Sequence, residues 1–152
     1  MALFTTVHVL ISLIGIASGL VVIAGFLTGN RLRRWNLLFL VGTTATSLTG
    51  FLFPITRVTP GIVIGVISLG VLGLASVALS KGASKTYMVA AVSAEFLNVV
   101  ILITQLFEKV PSLHWHAPTG TEPVVAIIQG LALVVFAVLA VSAVRRSACS
   151  QA

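Results

Sequence analysis

Five stretches of this chain are apolar for long enough to cross a lipid bilayer, and short polar clusters separate them. They cover approximately residues 7–27, 37–53, 60–79, 87–107 and 123–144. A helix rises 1.5 Å per residue, so crossing roughly 30 Å of hydrocarbon takes about 20 residues. The second stretch is the shortest and its bounds are the least sharply marked. All five are predicted to be helices, because an unpaired backbone amide in lipid costs several kcal/mol. The punctuation agrees. Thr59 and Pro60 form an N-cap and first-turn pair, Ser84 can cap the fourth helix, and Thr121 or Glu122 precedes Pro123 at the fifth. Pro54 closes the second span, since it cannot continue helical hydrogen bonding.

Composition and charge turn these runs into a directed bundle. The 152 residues are 58% hydrophobic and 8% charged, with a mean hydropathy of +1.16. A soluble domain carries about 25% charged residues to wet its surface, so the missing polar surface is expected to face lipid. The net charge of +6 does not signal nucleic acid, because no basic face is long enough to track phosphates. The basic residues instead flank the spans. Arg31, Arg33, Arg34, Lys81, Lys85, Arg145 and Arg146 lie on one side, and Arg57 and Lys109 on the other. Seven against two places the first side in the cytoplasm. The expected fold is an all-α membrane protein, a single five-transmembrane-helix bundle with its N-terminus outside and its C-terminus cytoplasmic. The first run is read as a retained helix rather than a signal peptide, since its arginines follow it. Cys149, the one cysteine, excludes an internal disulfide and a CxxC motif. Its terminal Cys149-Ser150-Gln151-Ala152 has only the outline of a prenylation box.

Small and hydroxylated residues suggest how the helices meet. Gly15 and Gly19 in the first span, and Gly61 and Gly65 in the third, are pairs four apart that allow backbones to approach; Gly70, Gly73 and Ser76 extend the second series. Their expected use is packing within the bundle or between copies. The second span holds Thr43, Thr44, Thr46, Ser47 and Thr49, read as interhelical glue or as the lining of a polar cavity.

Glu95 is the residue most out of place. Eight residues into the fourth span, about 12 Å by helical rise, it sits near the expected bilayer centre with no Lys or Arg in any span to neutralise it. An acidic group there is costly and usually functional, and desolvation is expected to keep it protonated at rest. Glu95, Asn98, Leu102, Gln105 and Lys109 share one helix face by their 3-4-3-4 spacing. This face is expected to form a proton-, cation- or small-molecule-binding ladder with the second span's threonines and Gln129, or a satisfied polar network without a ligand.

The loop of residues 108–122 is the second candidate, because connections of this length are uncommon in compact domains. It carries Lys109, His114, Trp115 and His116, and the topology puts His8 on the same outer side. His8, His114 and His116, with Glu108 or Glu122, have the composition of a zinc or copper site. The bland alternative is a pair of solvated histidines beside Trp115, an interfacial anchor. A bis-histidine haem is not expected, since only His8 could lie within a span.

The runs His8-Val-Leu-Ile-Ser-Leu-Ile-Gly15, Thr49-Gly-Phe-Leu-Phe-Pro54 and Gln105-Leu-Phe-Glu-Lys-Val-Pro111-Ser-Leu-His114 resemble small polytopic bacterial inner-membrane proteins usually described as hypothetical. The resemblance covers nearly the whole chain and implies bacterial origin and a compact bundle, but no activity. Length and helix count are also similar to the tryptophan-rich translocator family. The chain departs from that family in having only Trp35 and Trp115, so porphyrin or sterol binding is not carried over.

Three functions are consistent with these residues. The chain is a non-catalytic accessory or interaction subunit of a membrane assembly, a carrier or binder of an ion or small apolar molecule through Glu95, or a membrane enzyme with an outer-side histidine metal site. No P-loop, HExxH, nucleophile elbow or cysteine pair favours the enzyme. The expected partners are the lipid bilayer and either further copies of the chain or a larger membrane complex.

Overall fold

The computed structural model describes residues 2–30, 32–53 and 60–149. Arg31, Pro54, Arg57, Thr59 and the tail Ser150–Ala152, all used above, lie outside the described residues. Within them the chain is all helical: α1 (Ala2–Thr28), α2 (Arg33–Gly50), α3 (Pro60–Ser80), α4 (Ser84–Lys109), the short α5 (Pro111–His114) and α6 (Pro123–Cys149).

Four of these helices, α1, α3, α4 and α6, are long and apolar enough to cross a membrane. The difference from the expected five is α2. Its first turn holds Arg33, Arg34 and Asn36, and its second half holds the hydroxyl stretch, so its 18 residues are less apolar than the others. The outward surfaces of the four are lined with exposed aliphatic side chains, as lipid-facing helices require.

The helix ends follow from local chemistry. Gly29 and Gly82 have positive φ, and the residues after them close six-residue rings, Asn30 N–H to Gly25 O and Ala83 N–H to Ala78 O, both 2.9 Å. These rings satisfy carbonyls that a helix end leaves unpaired. Ser84 does not cap α4. It is the first helical residue, and its hydroxyl points back to Gly82 O at 3.5 Å. Glu122 likewise turns its side chain to the preceding loop rather than to α6.

α4 is the centre of the bundle, packed against α1, α3, α6 and α5, while α1 and α2 form the most intimate pair. That pair owes its closeness to missing side chains. A Cβ on Gly42 would meet the Gly15 Cα at 3.4 Å, and one on Gly15 would meet the Thr43 hydroxyl at 3.3 Å. Gly65 faces the Phe51 ring, whereas Gly70 and Gly73 look onto open space. Those two glycines therefore do not pack within the bundle.

Cross-helix contacts fix the register. Phe26 meets Tyr87 edge-on at 5.7 Å, and the Tyr87 hydroxyl donates to Asn36 Oδ1 at 3.0 Å. At the opposite end His8 bonds Thr49, and Phe53 meets the Phe4 ring at a tilt and the His8 ring edge-on. Gly19 of α1, Phe39 and Thr43 of α2, Glu95 of α4 and, through its contact with Phe96, Phe136 of α6 thus share the middle level.

Candidate functional site

At that level the Glu95 side chain is completely enclosed, with 0% of its surface exposed. Its seat is made by an absence on α1. Any Cβ on Gly19 would overlap the Glu95 carboxyl and come within 2.9 Å of the Phe39 ring. Glycine is therefore required at position 19 by the acid opposite, in addition to its part in the helix-packing pair.

Asn98, one turn on, holds the carboxyl. Its amide nitrogen donates to Glu95 Oε2 at 3.3 Å and to the hydroxyl of fully buried Thr43 at 3.2 Å. Ser18, also fully buried, donates to Gly15 O at 2.8 Å. Glu95 Oε1 has no partner among the described residues, and Thr46 Oγ1 on α2 is a second buried oxygen in the same condition. A buried oxygen left unbonded costs about 1–3 kcal/mol.

The rest of the expected ladder goes elsewhere. At 100° per residue Gln105 is turned about 80° from Glu95; it is exposed and donates to Glu108 Oε2 at 3.1 Å. Lys109 is exposed at the helix end. Gln129 donates to Thr104 Oγ1 at 3.0 Å and to Val100 O at 3.4 Å. Thr104, nine residues from Glu95, lies on the opposite side of α4, so Gln129 joins α6 to α4 away from the carboxyl. The structure thus brings Glu95, Asn98 and Thr43 together, and leaves Gln105, Lys109 and Gln129 apart from them.

The expected metal ligands are also dispersed. His8 is tied to Thr49 by a 2.8 Å bond from Nδ1. His114 and His116 are exposed at α5 and the turn after it, beside Trp115, which is 89% exposed. The Glu122 carboxylate accepts from the Thr119 and Thr121 backbone N–H groups at 2.9 and 3.0 Å and from the Thr119 hydroxyl at 2.9 Å. These bonds, the Thr119 N–H first, hold its carboxyl below the ordinary value. Among the described residues no three His, Cys, Asp or Glu side chains are close enough to hold a metal ion. The long loop is instead folded down. Buried Ala117 packs with Phe107 and Val125, and Gly120 lies against Thr104 and Glu108.

Sequence reasoning did not join Gly19 and Phe39 to the acid. The signal was present in the glycine pair of α1, but its meaning depends on the level at which α1 meets α4. Two surface depressions, at Gly82–Thr86 and along α6 at Ala137–Arg145, do not include Glu95. The chain matches no protein family, no curated protein and no solved structure.

Proposed function

We propose that this is a multi-pass protein of the cell inner membrane that binds and carries a proton through Glu95. The observation that supports this reading most directly is the enclosed carboxyl with one oxygen unpartnered, at mid-height in a helical bundle. An ionisable group at that depth is a functional site by default. The proton fits better than a metal cation. Asn98 turns its N–H side toward the carboxyl, where a cation would need oxygen ligands, and Gly19 and Phe39 leave the carboxyl little room.

In this reading α2 spans as well, giving five crossings with the N-terminus outside and the C-terminus in the cytoplasm. Its 18 residues reach about 27 Å, the chain lies against α1 from Phe39 to Phe53, and the distribution of basic residues gives the direction. The His8 end then faces outward. The test is infrared titration of the full chain in lipid nanodiscs. A protonated-carboxyl band that responds to pH in the wild type and is missing in Glu95→Gln is expected. A wild type without such a band defeats the proposal.

A second reading, an accessory subunit of a larger assembly, is favoured by α6. Only 11% of its most apolar window is buried, the lowest share of the four candidate spans. Ile127, Leu131, Val134, Val138 and Val141 form an exposed stripe on it, with Gly130 facing open space. Mild extraction that yields a stoichiometric partner would support this role; a monodisperse assembly of the chain alone would count against it.

A further inference from the structure

We infer that the polar groups between α1 and α2 form a proton path from the His8 end of the bundle to Glu95; the path rests on the proton-binding reading of Glu95. Thr43, Thr46 and Thr49 stand three residues apart on α2, about 4.5 Å per step along the helix axis. Thr43 Oγ1 and Glu95 Oε2 both accept from the Asn98 amide nitrogen, which holds the two oxygens near each other without itself carrying a proton. Thr49 bonds His8, whose side chain is only partly buried, at the end of the same interface. Thr46 lies between them, and its hydroxyl oxygen is buried without a partner. The two orphaned side-chain oxygens among the described residues, Thr46 Oγ1 and Glu95 Oε1, therefore belong to one line of polar groups. A valine would fit the space of Thr46 without leaving an oxygen unbonded. The path takes one bridging water between successive hydroxyls.

The bonding at the mouth gives the line a direction. The Thr49 hydroxyl donates to Ala45 O at 2.7 Å, so its oxygen accepts from Nδ1–H of His8. Nε2 is left to take a proton from external water. The imidazolium so formed passes its Nδ1 proton to the Thr49 oxygen as the Thr49 hydroxyl turns from Ala45 O and gives its own proton toward Thr46; bridging water carries it past Thr43 to Glu95 Oε1, the carboxylate oxygen that Asn98 leaves free. One proton enters and one is delivered; His8 returns to neutral carrying its proton on Nε2, and re-equilibrates with water.

Among the described residues no other titratable group intervenes. Glu95 faces Gly19 from α1, lies beside Phe39 and Thr43 of α2, and meets Asn98 on its own helix. α3 contains no titratable residue, and α6 has none before Arg145. Arg33 and Arg34 of α2 lie nine or more residues from Thr43, toward the Tyr87 end.

The path is tested by hydrogen–deuterium exchange of the Glu95 carboxyl band in the nanodisc-embedded full chain. Thr46→Val and His8→Phe are each expected to slow the exchange tenfold or more, and Thr46→Ser to restore it to within about twofold of wild type. Exchange at the wild-type rate in either slowed variant, or no restoration by serine, overturns the path while the Glu95 band itself upholds proton binding. A wild-type band that does not exchange also overturns it. A missing wild-type band removes the proton-binding reading, and the path with it.

Discussion

Gly19 and Thr46 make opposite claims on the bundle, and both can be measured. Gly19→Ala puts a methyl group into the space of the Glu95 carboxyl. Overpacking of this kind costs about 1–3 kcal/mol. Thermal unfolding in detergent should show that loss, and Glu95→Ala in the same chain should recover part of it, with a coupling of about 0.5–3 kcal/mol. Thr46→Val removes a buried hydroxyl that has no protein partner among the described residues. It should change stability by no more than about 1 kcal/mol in the same assay. At this scale the sequence identified the unusual group but not its surroundings. Glu95 stands out because carboxyls are expensive in apolar spans, and Asn98 follows one turn later. Gly19 and Phe39 are ordinary residues for a membrane helix, and only the register between α1, α2 and α4 gives them a role.

The helices themselves were legible, since apolar runs and prolines mark them directly. What periodicity could not supply was the facing of each side. The spacing that aligned Gln105 with Glu95 drifts by about 80° over ten residues, Lys109 keeps nearly the same face but lies at the exposed helix end, and Gln129 reached α4 from its opposite side. The loop before α6 shows a similar reversal. Glu122 looked like a cap or a metal ligand, but the Thr119 and Thr121 amides claim its carboxylate. Because these bonds depress its folded pKa, its contribution to loop order is complete above the ordinary glutamate value of about 4.3. That contribution disappears as pH falls through the lower folded value. Amide exchange at Thr119 and Thr121 should therefore accelerate, relative to the intrinsic rate, only in acid, and Glu122→Gln should remove that pH dependence.

For the molecule as a whole, the directed bundle can be checked with its single cysteine. In oriented vesicles a membrane-impermeant maleimide should reach Cys149 only from the cytoplasmic side. In a Cys149→Ser background, a cysteine replacing exposed His116 should react only from outside. Labelling of both from one side would require an even number of crossings between them and a different bundle. The charge pattern supplies an expected orientation, because basic residues at span ends act one by one, and this labelling decides it. Whether α2 spans was harder to read, because its first turn is charged and its second half hydroxylated.

The close seam between α1 and α2 has a further consequence, for biogenesis. A helix with the composition of α2 partitions poorly into lipid by itself, whereas α1 is strongly apolar. Gly15 against Gly42, Thr43 against Asn98 and His8 against Thr49 shield the polar side of α2 only after its neighbours are in place. The two helices should therefore leave the translocon as a hairpin, with α1 acting as an intramolecular chaperone for α2. Deleting residues 2–28 should strand α2 outside the hydrocarbon, where protease protection assays would find it cleaved, while α3 and α4 remain inserted.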